Sequence, residues 1–451
     1  MVQSSDLDEG HKMKVLIIGG GLGGMSLAME LSRKNKDMDL TVIKKEKLGS
    51  YSPCGMPFVL EGKVERMEDI ILNTSDFYAQ KGINLKMGFE ATEIDLENGK
   101  VHLNSGEMLS YDKLVISTGR KTFIPPIDGI DLDGVYKLSD YEDGEIIFEA
   151  MKNAKKAVVI GGGIIGLETA VAFAKRNIKT TVIEMLPYVL PQILDEDMAF
   201  IVHKRLNDMG IEVFTSTKVL SIKGERKVES VVTEGKEFKA DLVLIATGVR
   251  PNADLAKQAG ITIGKSKGVV VNSSFNVQKD DKHLKNVFAF GDCVEIINKI
   301  TNLRQVSALG SSAILQARII AENICGGDVN IEGFLSPTIT LIGDLQVGSV
   351  GLTSHTAKQS GLDFKISKSS GSTRSSYCPG RKEIQIKLLA HDDKLIGAQM
   401  IAEEDVKERV NAITLAIKNE MTIQDLLYTE RCFTPPLSLL TDPLIRALEN
   451  F

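Results

Sequence analysis

One pattern occurs twice in this 451-residue chain, and it limits the possible folds more than any other feature. MKVLIIGGGLGGMSLAMELSRKNKDMDLTVIKK at 13–45 and KAVVIGGGIIGLETAVAFAKRNIKTTVIEM at 156–185 run through the same sequence of textures. Each opens with a β-branched apolar run, passes a glycine cluster, continues as an Ala/Leu-rich helical pattern and ends in a second β-branched run. That order is a strand–helix–strand unit. The two copies lie about 140 residues apart, too far for a solenoid, so they predict two separate dinucleotide-binding domains.

The clusters place Gly19, Gly21 and Gly24, then Gly161, Gly163 and Gly166, in G-x-G-x-x-G. The first glycine makes the turn, the second lets a pyrophosphate approach the backbone, and the third lets helix pack on strand. The helix N-terminus attracts the phosphates. After the second cluster Glu184 ends the next strand, and a carboxylate there accepts both ribose hydroxyls of an adenosine. No arginine follows it closely. NADH is therefore expected over NADPH, which stays the alternative. At the corresponding position of the first copy stands Lys44, which cannot accept a hydrogen bond from a hydroxyl. Two arrangements remain open: Glu46 reaches back as the missing acid, or Lys44 faces solvent and backbone holds the ligand. The second is the favoured expectation.

YDKLVISTG at 111–119 and DLVLIATG at 241–248 read as strands running into glycine turns, and KNVFAFGD at 285–292 as a third. One helix is expected over 304–326. From about Phe334 the pattern changes to strands at 338–350, 365–369, 383–389 and 394–400 and helices at 405–419 and 423–428, an α+β domain without a phosphate loop. A net charge of −6 without a basic block argues against nucleic acid. No apolar run reaches membrane-spanning length, and residues 1–12 are polar with no secretory signal. A cytoplasmic protein with a flexible 1–12 extension and no membrane association is expected.

The cysteines are Cys54, Cys293, Cys325, Cys378 and Cys432, an odd count without C-x-x-C, so neither a disulfide framework nor a metal site is expected. Cys54 lies in SYSPCGMPF, where the following residues can open a helix. A helix N-terminus lowers a thiol pKa, so a redox-active thiolate competes here with an inert buried thiol.

The two glycine units, the STG and ATG turns and FAFGDC at 288–293, in this order, make the chain from Met13 onward resemble the FAD-dependent pyridine nucleotide–disulfide oxidoreductases. Ser50 and Cys54, with Tyr51 between them, are similar to the S-F-x-x-C pattern of the single-cysteine branch, which includes coenzyme A-disulfide reductases and NADH oxidases. Val59 leaves no second cysteine, and TPPLSLLTDP at 434–443 resembles the branch's C-terminal segment. The resemblance implies an α/β fold of two Rossmann-like domains plus a C-terminal α+β dimerisation domain. Its expected limits are 13–122 with 252–327 for FAD, 123–251 for NAD(P)H and 334–451 for dimerisation. It implies a homodimer in which the C-terminal domain completes the partner's site. FAD would be held by Gly19, Gly21, Gly24, Glu46, Thr118, Gly119 and Asp292, and the nicotinamide cofactor by Gly161, Gly163, Gly166, Glu168, Glu184 and Gly248. Cys54 would be the redox centre, with Ser50 and Tyr377 beside it.

Within the branch, peroxidases and oxidases place a histidine inside the first glycine motif, and Leu22 occupies that slot here. General acid–base catalysis supplies about 10²–10⁴-fold, so its loss favours reductases, whose leaving group is a thiolate. His11 precedes the strand and is a poor substitute. The second tyrosine of the coenzyme A-reducing members is Phe433, and Cys378 and Cys432 flank the two tyrosine positions. Arg33, Lys34, Lys63 and Arg66 are candidate neighbours for coenzyme A phosphates. No rhodanese domain is expected after Phe451. The expected activity is NAD(P)H-dependent reduction of a small disulfide or persulfide (coenzyme A disulfide, coenzyme A persulfide or polysulfide). NADH oxidation by O₂ and a non-catalytic redox sensor are the alternatives.

Overall fold

The chain is described here by a computed structural model covering residues 12–451. The expectations for the N-terminal extension up to residue 11, and for His11, lie outside the described residues. Three sheets organise the rest. The first has six strands in the order Asn276–Lys279, Lys282–Ala289, Lys113–Ile116, Lys14–Ile18, Asp39–Lys44 and Ile83–Met87, parallel except for the outermost Asn276–Lys279. The second is a five-stranded parallel sheet of Val135–Lys137, Leu242–Ile245, Lys156–Ile160, Lys179–Ile183 and Glu212–Phe214. Its central strands are buried, as expected where helices cover both faces of a parallel sheet.

In both sheets the glycine cluster follows the central strand, and the next helix crosses over to a parallel neighbour. Leu22–Lys34 does this in the first and Ile164–Lys175 in the second. Arg120–Thr122 pairs antiparallel with Val249–Pro251 and joins the two halves. The third sheet, Thr338–Ile342, Leu345–Gly351, Lys394–Ala402, Glu383–His391 and Lys365–Ser372, is antiparallel throughout. Val406–Lys418 and Pro443–Glu449 contribute Val410, Ile413, Leu444 and Leu448 to its core. Among the described residues no helix is long and apolar enough to cross a membrane.

Two elements differ from expectation. Residues 338–350 form two strands, because Gly343 turns the chain at φ +69°. The helix expected over 304–326 begins only at Gly310. Arg304–Val306 is instead a strand, laddered antiparallel to Val294–Ile297. A neighbouring strand with open hydrogen-bonding groups overrides the local helical pattern there.

Candidate active site

The two glycine loops have nearly the same geometry. Gly19 has φ +111°, and a Cβ there would lie 2.2 Å from the Ser117 carbonyl oxygen; one on Gly24 would lie 1.9 Å from that of Gly19. A Cβ on Gly21 would meet nothing within 4 Å, so the backbone at the start of the helix stands open. Gly161, Gly166 and Gly163 repeat these three situations. A Cβ on either middle glycine would fill the open space at a helix N-terminus, where backbone N–H groups and the helix dipole favour an anion. This cradle fits a dinucleotide pyrophosphate in each half.

The strand-end residues occupy equivalent places with opposite polarity. Glu184 is buried beside Gly162. Its Oε2 accepts from the Gly162 N–H at 2.6 Å and its Oε1 from the Leu186 N–H at 2.7 Å. Lys44 packs beside Gly20 in the same way, its Cβ, Cγ and Cδ filling the space a Gly20 side chain would need. It does not face solvent, as expected from the sequence, but is 3% exposed. Its Nζ donates to the Gly20 carbonyl at 3.2 Å and pairs with Glu46 Oε2 at 2.6 Å. A buried ammonium needs such partners, and Glu46 provides the charge that solvent would otherwise supply.

Cys54 occupies a single 3₁₀ turn, Pro53–Gly55, ahead of the short helix Met56–Glu61. That helix is braced against the second domain: Arg176 Nε donates to the Leu60 carbonyl at 3.0 Å, and Lys175 pairs with Glu61 at 2.5 Å. The thiol keeps an exposed side, while protein surrounds it elsewhere. Its pKa is raised, not lowered as the helix argument predicted. Burial is the main cause, Arg120 opposes it, and Glu168 and Asp292 add to it. A six-residue helix has too weak a dipole to offset burial and two carboxylates. Arg120 Nη1 lies 3.4 Å from Asp292 Oδ2, and burial pushes the Asp292 carboxyl up against that cation.

Glu168 comes from the helix that braces the cysteine segment, and its Oε1 accepts from Thr340 Oγ1 of the C-terminal sheet at 2.6 Å. Burial pushes its pKa to about 7; Thr340 and Lys63 pull the other way and Glu61 adds to the rise. Arg120, Asp292 and Glu168 thus act on one sulfur, and the C-terminal sheet reaches Glu168 through Thr340. Thr118 Oγ1 donates to the Asn252 carbonyl at 2.6 Å, and the Gly119 carbonyl accepts from the Asn252 N–H at 2.9 Å. These bonds fix the STG turn. Gly248, at φ +106°, turns the equivalent ATG segment.

Ser50 is buried, its hydroxyl 2.6 Å from that of Tyr78. Tyr377 is 75% exposed on a loop of the C-terminal domain, where Cys378 Sγ donates to the Pro435 carbonyl at 3.2 Å. Cys432 and Phe433 line a nearby groove of about 520 Å³ with Arg409. The four basic residues proposed for phosphates each face a carboxylate: Arg33 Glu30, Lys34 Glu322, Lys63 Glu61 and Arg66 Asp69. They do not make a free basic patch. Sequence reading missed the parts played by Arg120, Thr340 and Tyr51. Arg120 carried a signal as the cation directly after the STG turn, and Tyr51 one as a member of the cysteine motif.

Residues 13–310 match the family model described as pyridine nucleotide-disulphide oxidoreductase, and residues 337–442 match its dimerisation domain. An NADH oxidase of Methanocaldococcus jannaschii is 39% identical over 97% of this chain and 98% of its own. A CoA-dependent NAD(P)H sulfur oxidoreductase of Pyrococcus furiosus is 34% identical over 96% of this chain and 98% of its own. The solved structure of an NAD-dependent persulfide reductase from A. fulgidus superposes with a TM-score of 0.93 at 34% identity, covering 97% of this chain and 82% of that one.

Proposed function

The chain belongs to the pyridine nucleotide-disulphide oxidoreductase family, and from that premise we propose that it uses FAD, NAD(P)H and Cys54 to reduce a low-molecular-weight disulfide or persulfide, as a homodimer. Gly19, Gly21, Gly24, Thr118, Gly119 and Asp292 would hold FAD, and Gly161, Gly163, Gly166, Glu168, Glu184 and Gly248 the nicotinamide cofactor. When bound, these cofactors supply the two electrons that regenerate the thiol.

The sulfur chemistry belongs to the protein. The Cys54 thiolate attacks one sulfur of the substrate; the substrate S–S bond breaks, a thiolate leaves and a mixed disulfide forms on Cys54. Two electrons and a proton then release the second thiol. Arg120 favours the Cys54 thiolate, while ionised Glu168 and Asp292 oppose it. Glu168, raised to about 7 by burial, is largely neutral below that pH and then adds no negative charge beside Cys54. Tyr377, exposed on the dimerisation domain, suits a position across a subunit interface.

The observation that carries this reading is the set of charged groups acting on Cys54. Among the described residues they are one arginine and two carboxylates, with no histidine, and Leu22 begins the first glycine-loop helix. Such a site can expel a thiolate, which needs little proton help, more readily than it can cleave a peroxide. The name of the Methanocaldococcus relative favours O₂ reduction as a second reading. Flavin-loaded protein should be assayed on coenzyme A disulfide, coenzyme A persulfide, polysulfide and O₂ with NADH. Turnover on a sulfur substrate, lost in Cys54→Ser while hydride acceptance from NADH persists, is the expected result. Turnover with O₂ alone would overturn the proposal.

A further inference from the structure

We propose that Glu46 is the carboxylate that binds the adenosine ribose of FAD, presented by Lys44 and Tyr51 in place of the strand-end acid used in the other half. The inference rests on FAD occupying the first domain, as in the function proposed above. In the second domain the acid itself, Glu184, lies beside the glycine loop. In the first, a lysine fills that space, and its ammonium holds a carboxylate from two residues further along the chain: Lys44 Nζ to Glu46 Oε2 is 2.6 Å.

Glu46 is held by both oxygens. The Tyr51 hydroxyl donates to its Oε1 at 2.8 Å, while Lys44 binds Oε2. The Tyr51 oxygen also accepts from the Tyr141 N–H at 3.2 Å, so the tyrosine is itself fixed from the second domain. Two tethers on one carboxylate restrict the rotamers that an exposed glutamate would otherwise sample. A carboxylate offers about four lone-pair positions, so two remain for two hydroxyls. With its side chain 39% exposed, Glu46 can present them to a ligand.

Lys44 cannot take this role itself. An ammonium has three N–H donors and no acceptor. One goes to the Gly20 carbonyl, one goes to Glu46, and the centre of the Tyr51 ring lies 5.2 Å from the nitrogen. Lys44 and Tyr51 are therefore positioning residues, and Glu46 is the group that touches the cofactor.

The test is titration of apoprotein with FAD, following quenching of flavin fluorescence, with the melting temperature of each apoprotein recorded separately. Glu46→Gln should weaken FAD binding by about tenfold to a hundredfold, the range for losing a charge-assisted hydrogen bond. Lys44→Met and Tyr51→Phe should weaken it less. Lys44→Met should add nothing in the Glu46→Gln background, because its effect passes through Glu46. Lys44→Glu combined with Glu46→Gln restores a strand-end acid and should recover most of the affinity. Glu184→Gln, in the other half, should leave FAD affinity unchanged. Wild-type affinity in Glu46→Gln, or a loss confined to Lys44→Met, would overturn the assignment while the FAD reading stands. Wild-type protein that takes up no FAD would overturn both. If a Lys44 variant melts early, Tyr51→Phe and Glu46→Gln decide the matter alone.

Discussion

Glu168 lies where the helix bracing the cysteine segment meets the C-terminal sheet, and removing its charge should stabilise the folded chain in a pH-dependent way. Burial raises its pKa from 4.5 to about 7 against the pull of Thr340 and Lys63, with Glu61 adding to the rise. A carboxyl raised in the folded state binds its proton more tightly there than in the unfolded chain. Folding is then unaffected well below pH 4.5, loses stability progressively between 4.5 and 7, and above 7 carries the full penalty. At 1.36 kcal/mol per unit, the interval from 4.5 to about 7 corresponds to about 3 kcal/mol at pH 8 and about 1 kcal/mol at pH 5. Glu168→Gln keeps an oxygen for the Thr340 hydroxyl and discards the charge. The variant apoprotein should therefore melt higher than wild type, by about 6–12 °C at pH 8 if the cooperative unit has about 150–250 residues, and by about a third of that at pH 5. Differential scanning calorimetry of both apoproteins at the two pH values measures this. An equal gain at both pH values, or none at pH 8, would refute the argument that Glu168 is held in a site that disfavours its charge. Because that charge also raises the Cys54 pKa, alkylation of Cys54 by iodoacetamide should be faster in Glu168→Gln near pH 8.

Three further outcomes are expected. Glu184, already accepting two backbone N–H groups beside the second glycine loop, should give wild-type enzyme a higher kcat/KM with NADH than with NADPH, and Glu184→Ala should narrow that ratio. Asp292→Asn should lower the Cys54 pKa, because Arg120 then acts on the thiol without that opposing carboxylate; the pH dependence of iodoacetamide alkylation reads it. Lys387→Met should destabilise the junction of the second and third domains by about 3–5 kcal/mol, read as a fall in melting temperature, because it leaves buried Asp195 and neighbouring Asp197 without the ammonium 2.8 Å from each.

The parts of this protein that could be read from its sequence are those whose partners lie a few residues away or recur by period. The glycine loops belong here: strand, turn and helix are contiguous, and the first and third glycine of each loop answer to an atom of the loop itself or of the adjacent strand's end, as Gly24 answers to the Gly19 carbonyl. Lys44 shows where that stops. A lysine at a strand end ordinarily goes to solvent, and only the folded loop after it brings Glu46 and Tyr51 to its ammonium. Arg304–Val306 departs from its local helical pattern for a related reason, since its ladder partner is a separate strand.

Cys54 marks the limit most clearly. Its own segment, Pro-Cys-Gly before a helix, leaves an acidic thiolate and an inert buried thiol both open. Burial decides against an acidic thiol, and the charges that add to it, Glu168 and Asp292, come from a different domain and from a distant segment of the same one. No local pattern announces their convergence. The repeated architecture does imply it at a coarser level: two domains that present ligands from the carboxyl ends of parallel strands must turn those ends toward each other if electrons are to pass between them. The groups at the strand and helix ends are then brought near one another, and burial raises Cys54, Glu168 and Asp292 alike. Arg120, reaching Asp292 at 3.4 Å, is the counter-charge that moderates this around the sulfur, and its position directly after the STG turn follows from the same architecture.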